Sequence, residues 1–167
     1  MRAKCTCGLL LMGILFFVTV SGVSAHRRLL GASPDEVIAQ LDAPAAVYVS
    51  SSRVADVDAV VFFYADYRYV YFHENRVWQV RLDERSEHGF EGFAVREGDG
   101  QEGQEERPVV IPGDSRSQLF DAFGSPVFED GESLVFELED DGYPLRLRAF
   151  VDDEETIVDL YLYRADF

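Results

Sequence analysis

The chain has 167 residues, 47% of them apolar and 13% aromatic, which is enough to bury a core in one compact domain or two small ones. It carries 31 acidic residues against 15 lysines and arginines. Such a field repels phosphate backbones and anionic lipid, and so argues against nucleic acid as a partner.

At the start of the chain, basic Arg2 and Lys4 precede an apolar run over 9–20, and small residues close the segment at Val23-Ser24-Ala25. This is the pattern of a secretory signal peptide over 1–25. An uncleaved anchor is the alternative, because 8–25 approaches the roughly 18 apolar residues of a membrane span, but Ser21, Gly22 and Ser24 weigh against it. Cleavage after Ala25 also removes Cys5 and Cys7, so the exported part has no disulfide or thiolate chemistry, although its compartment permits disulfides. That part keeps every acidic residue, 13 arginines and no lysine, a net charge of −18. The expectation is a periplasmic or secreted protein with no stable membrane insertion after cleavage.

Self-similarity organises the remainder. The segments 31–44 and 113–126 align without a gap at an offset of 82. Ser33 and Ser115 stand at helix N-cap positions with Glu36 and Gln118 three residues on, the reciprocal capping box. Pro34 suits the first helical position. Val37, Ile38 and Leu41 correspond to Leu119, Phe120 and Phe123, an apolar face on a helix of about two turns. Asp42 and Gly124 fall where a left-handed C-terminal residue is wanted, and Pro44 and Pro126 block continuation.

Strand-like runs follow each predicted helix: 57–64, 67–73 and 77–82, then 133–138, 144–151 and 157–163, separated by polar turns. Alternation places Trp78, Val80 and Leu82 on one face, and Val158, Leu160 and Leu162 on another. Between the two sets, 98–107 contains three glycines and no apolar residue and reads as a flexible linker. Phe90, Phe93 and Val95 just before it supply either a fourth strand or a docking point, with docking preferred. The predicted fold class is therefore α+β: two tandem units, each a short capped helix followed by a three- or four-stranded antiparallel meander. The units span 26–83 and 109–167, with an acidic Gly-rich linker over 84–108.

A capped helix of the form Gly-x-Ser…Val/Leu…Leu/Phe-x-x-Pro, followed by a strand meander, resembles two families. One is the outer-membrane assembly lipoproteins called SmpA/OmlA or BamE. The other is the secreted β-lactamase inhibitor protein, which is similar in carrying two tandem helix-and-sheet units. The chain lacks the lipobox cysteine of the first and the disulfides of the second. The shared residues set helix ends and turns, so no functional residue is carried over. Both families act by binding proteins through a sheet, and the resemblance implies the same here.

Two surfaces fit that implication. Tyr67, Tyr69 and Tyr71 form an every-other-residue stripe, and tyrosine offers a large contact area with a polar tip. Arg146, Arg148 and Phe150 alternate with Leu145, Leu147 and Ala149, and Tyr161 and Tyr163 extend such a face. Ordinary strand packing is the competing explanation of the tyrosines. For metals, His73, Glu74 and His88 fall short of the three or four converging ligands zinc needs, and turn chemistry accounts for the acidic runs 140–142 and 152–155 better than calcium does. No cofactor is expected. No nucleophile with a base, nucleophile elbow or phosphate loop is present: 50–52 is a serine run without a neighbouring histidine. The expectation is a non-enzymatic module that binds another protein. A carboxylate-dependent hydrolase and a purely structural envelope protein are the alternatives.

Overall fold

The computed structural model describes residues 25–92, 108–138 and 143–166. The signal segment 1–24, the linker 98–107, Phe93, Val95 and the acidic turn 140–142 lie outside the described residues.

Helix ends are set by local chemistry. In α2 (Pro34–Leu41) the Ser33 N–H donates to Glu36 Oε2 at 2.7 Å, and the Glu36 N–H donates back to Ser33 Oγ at 3.4 Å. In α3 (Arg116–Phe123) the Ser115 N–H donates to Gln118 Oε1 at 2.9 Å. Both helices stop on a residue with positive φ, Asp42 at +65° and Gly124 at +76°, with extended ψ in place of the left-handed helical value the sequence position suggests, and no α-helix continues from there. A further short helix, α1 (Ala25–Leu29), precedes them. The buried stripes are narrower than the sequence spacing predicts. Val37, Leu119, Ala122 and Phe123 are buried, Leu41 is partly buried, and Ile38 and Phe120 face outward.

The strands are β1 (Ala46–Ser51), β2 (Asp58–Tyr64), β3 (Arg68–His73), β4 (Arg76–Asp83), β5 (Phe90–Glu91), β6 (Val109–Val110), β7 (Phe128–Glu129), β8 (Ser133–Leu138), β9 (Leu145–Val151) and β10 (Ile157–Arg164). Eight of them form one antiparallel sheet in the order β1-β2-β3-β4-β10-β9-β8-β7. This corrects the predicted fold class. Two separate helix-plus-meander units are not what forms; the molecule is sheet-rich, with one continuous sheet running through both halves of the chain. The reason is edge pairing. A free three-stranded meander leaves unpaired backbone groups along its last strand. Here β4 and β10 supply that pairing to each other, with Leu82 opposite Leu160 and Val80 opposite Leu162. Two strands absent from the sequence reading, β1 and β7, extend the sheet outward through β2 and β8. Phe90 lies outside this sheet; β5 pairs with β6, and Gly92 packs so close to α3 that a Cβ would sit 2.3 Å from the Ala122 carbonyl oxygen.

The main core lies on the helix side of the sheet. Val37, Leu119 and Phe123 from the helices meet Val70, Val80, Leu82, Phe136, Leu147, Leu160 and Leu162, all fully or nearly buried. A bulge alters the faces of β4. Tyr71 pairs with Gln79 and Phe72 with Val77, which leaves an extra residue on β4. Val77 therefore joins Val80 and Leu82 in the core, while Trp78 packs with Val61 and Tyr71 on the opposite side of the sheet. A register shift between Ile157 and Asp159 does the same in β10, so that Ile157 takes the core place predicted for Val158.

Leu160→Ala removes a buried side chain from the β4–β10 join and is expected to cost about 2–5 kcal/mol. Because both halves share the core, far-ultraviolet and tryptophan signals should unfold together; a biphasic transition would show independent halves.

His26, in α1, is buried against Phe90 and His88, with its Nε2 accepting from Arg68 Nη1 at 3.3 Å. Burial first, and then the Arg68 guanidinium, lower its pKa from 6.5 to about 3. The unfolded chain takes up this proton below pH 6.5 while the folded protein does not. The contribution is therefore intact above pH 6.5 and is lost as pH falls towards 3, at roughly 1.4 kcal/mol per pH unit. Denaturant titrations of wild type and His26→Phe between pH 7 and 4 should show the wild type losing more stability; equal slopes would refute it.

Candidate functional site

The face of the sheet away from the helices carries the unusual chemistry. Antiparallel register sets Tyr69 of β3 opposite Arg81 of β4, Arg81 opposite Tyr161 of β10, and Tyr161 opposite Arg148 of β9. A row of alternating phenol and guanidinium thus crosses the junction of the two halves. Arg81 lies 4.7 Å from the Tyr69 ring centroid and 5.7 Å from that of Tyr161, within cation–π range. A second row runs Tyr71, Gln79, Tyr163, Arg146 and Glu137. Tyr69 and Arg148, separated by 79 positions in sequence, are thereby placed on one surface.

The centre of this face is covered by the loop that joins β1 to β2. Ser52 Oγ donates to Gln79 Oε1 at 2.7 Å. Arg53 reaches Asp159 Oδ2 at 3.3 Å and lays its guanidinium 3.9 Å from the Phe150 ring centroid. Ala55 packs on the cluster of Val61, Tyr71 and Trp78. Asp159 also accepts from Arg81 at 2.7 Å, so one buried carboxylate ties the loop to the middle of the sheet.

The six sequence-selected residues therefore separate into two groups. Tyr71 and Phe150, 4% and 6% exposed, are packing residues beneath the loop. Burial raises the Tyr71 pKa. Tyr67, Tyr69, Arg146 and Arg148 are half-buried and reach the surface on either side. Tyr67 sits in the turn before β3 at φ +59°, off the strand alternation, and its ring receives the Arg85 guanidinium at 4.3 Å. The Tyr69 hydroxyl donates to Asp83 at 2.9 Å; burial, reinforced by that hydrogen bond, pushes its pKa up to about 12. Asp83 moves down despite its burial, because Arg85 and Tyr69 donate to it. Arg148 is anchored on Ser133 Oγ at 2.9 Å and on Asp130 at 3.5 Å. Arg81 and Asp159 escaped the sequence reading. The available signal was the alternating polar set Gln79, Arg81 and Asp83 on one strand.

Where the loop ends, a pocket of about 330 Å³ opens between it and the sheet, lined by Val54, Ala55, Val57, His73, Trp78, Arg146, Tyr163, Arg164 and Ala165. None of these is a carboxylate. Arg146 Nη2 donates to Glu137 Oε1 at 2.8 Å, while its Nε–H is shielded from solvent without a hydrogen-bond partner. His88 instead lies 2.9 Å from Asp66, and Asp152 Oδ1 accepts from the Glu154 and Thr156 N–H groups of its own turn. Among the described residues no group of three or more histidine, cysteine or acidic side chains converges. No described helix is long and apolar enough to cross a membrane.

No protein-family model matches the chain, and neither does any curated protein. Among solved structures it is similar to an extracellular protein containing a SCP domain from Bacillus anthracis str. Ames, at a TM-score of 0.51 and 10% identity. The match covers 99% of this chain and 50% of that one, so the chain spans about half the length of the protein it resembles. At this identity the likeness is one of fold.

Asp159→Asn weakens the tether between loop and sheet and leaves Arg81 poorly compensated, which is expected to cost about 3 kcal/mol. The loosened loop should expose the bond after Arg53, so limited trypsin digestion of the folded variant should cleave there well before wild type. Unchanged cleavage would mean that Ser52 and Ala55 hold the loop unaided.

Proposed function

We propose that the protein is an exported, non-enzymatic module of the cell envelope or extracellular space that binds another protein through the loop-crossed face of its sheet. The observation that carries this reading is the row Tyr69, Arg81, Tyr161 and Arg148, whose half-buried ends, Tyr69 and Arg148, come from the two halves and are joined through the buried Tyr161. Tyrosine and arginine are the side chains that dominate interface energetics, and here hydrogen bonds and ring contacts hold them in place before any partner arrives. Export is supported by the signal-like pattern over 1–25 and agrees with the extracellular description of the structural neighbour.

A hydrolase needs an acid with a raised pKa in a cleft. Among the described residues the pocket wall offers no carboxylate, and Glu36, Asp83, Asp130 and Asp166 all shift downward. That chemistry favours binding.

Affinity capture from the native envelope and extracellular fractions tests the reading. Wild-type protein should retain a partner that both Tyr69→Ala and Arg148→Ala lose, each weakening it by roughly thirtyfold if the residues are hot spots. Trp78 emission monitors folding of the variants. Equal capture by all three proteins would remove the face from consideration, and capture of nothing would favour a structural envelope role.

A further inference from the structure

The pocket at the end of the loop has a chemistry of its own. Trp78, Val54, Ala55, Val57 and Ala165 make an apolar wall, and Arg146, Arg164, His73 and Tyr163 make a polar one. At about 330 Å³ it is at the small end of ligand sites, with room for one ring or branched alkyl group and a short polar head. Among the described residues the lining holds two guanidinium groups and no carboxylate, and the partners of those groups, Glu137 for Arg146 and Asp166 for Arg164, lie outside it. Screening over roughly 8 Å at physiological salt confines the repulsion from the acidic surface beyond it.

Two features of Arg146 specify the head group. Its Nε–H is shielded from solvent and has no acceptor among the described residues, so the guanidinium keeps unused donor capacity. Its Nη2 donates to Glu137, whose side chain is 59% exposed, and a solvent-exposed pair of this kind contributes little and exchanges readily. A carboxylate matches the guanidinium fork as no neutral group does. Tyr163, whose pKa burial raises, keeps its hydroxyl proton on the same wall.

We infer that this pocket binds an apolar group bearing a carboxylate, with the carboxylate on Arg146 and the apolar part against Trp78. The inference deepens the binding reading of the same face and rests on it. Such a group has two sources, a free aryl or branched-alkyl acid and the C-terminal residue of an extended peptide.

Trp78 is the only tryptophan in the chain, so its fluorescence reports on the pocket directly. The exported protein is titrated with 4-phenylbutyrate, 4-methylpentanoate and acetyl-Gly-Gly-Phe, each as the acid and as its amide. The acids should saturate the signal, with the amides weaker by about tenfold or more, the worth of one charged hydrogen bond. Arg146→Met should bring the acids down to the level of the amides. Glu137→Gln, which frees Arg146 from outside the pocket, should strengthen acid binding about two- to fivefold, and it keeps the test available if Arg146→Met fails to fold. Saturation by the peptide acid alone assigns the C-terminus of a protein partner, and saturation by the free acids alone assigns a small molecule. Acids and amides titrating alike, a Glu137→Gln protein no tighter than wild type, or no saturation by roughly 10 mM would overturn the inference. Failure here with capture still sensitive to Tyr69 and Arg148 removes the pocket ligand alone; carboxylate binding with capture indifferent to both residues removes the protein-binding face alone.

Discussion

Pairing between β4 and β10 is the constraint on which the architecture turns. These strands lie far apart in sequence, yet each is the last strand of its half, and each would otherwise present an open edge. Their register sets Val80 and Leu82 against Leu162 and Leu160 on the helix side, all shielded from solvent. Each such side chain contributes about 1.5–3 kcal/mol on burial, so the join is stabilised by its side chains as well as by its backbone hydrogen bonds. The same register acts on the other side of the sheet. Once Leu82 faces Leu160, Arg81 must face Tyr161, because side chains alternate strictly along a strand. The core contact and the tyrosine–arginine row are two faces of one pairing, and neither can shift by a residue without destroying the other.

The row creates a demand that the loop between β1 and β2 meets. Arg81 is three-quarters shielded from solvent, and a guanidinium in that position needs an anion. Asp159 supplies it from the neighbouring strand and retains an oxygen for Arg53 of the loop. Closing the loop over Tyr71, Trp78 and Phe150 buries aromatic surface that an open sheet would leave in water. The accessible part of the face then includes the two shoulders, Tyr67 and Tyr69 on one side and Arg146 and Arg148 on the other, with the pocket at the loop's end. The accessible chemistry is thus what remains after the sheet has satisfied its own buried charge.

The parts of this arrangement that are visible in the sequence are those decided within a few residues. Ser33 with Glu36, Ser115 with Gln118, and the positive-φ Asp42 and Gly124 are local devices, and short-range rules are enough to place them. Strand positions follow from alternation, and the middle strands of both halves lie within one or two residues of their expected limits. The continuous sheet was not legible, because nothing in β4 alone names β10 as its neighbour. β1 was missed because Ala46 to Ser51 is an edge strand, exposed on both faces, and lacks the alternation that half-burial imposes. Trp78 was assigned to the wrong face because a bulge adds one residue to β4, and a period of two cannot survive an insertion. For the site, the tyrosine and arginine stripes could be read strand by strand, whereas Arg81 and Asp159, which connect them, acquire meaning only from the pairing.

A surface assembled in this way belongs to neither half alone. The shoulder tyrosines come from β3 and the turn before it and the shoulder arginines from β9, and the pocket takes Val54, Ala55, Val57, His73 and Trp78 from one half and Arg146, Tyr163, Arg164 and Ala165 from the other. Divergence between the halves is what makes the shoulders differ, with Tyr67 and Tyr69 on one side of the β4–β10 seam and Arg146 and Arg148 on the other. Two identical halves would have placed like against like across that seam, a like-charge repulsion in the case of the arginines. A mutation that weakens the seam therefore acts on recognition and on folding together, whereas a substitution at Tyr69 or Arg148, on the shoulders, leaves the core contacts of the seam in place. Recognition can change at the shoulders while the pairing that creates the surface is kept.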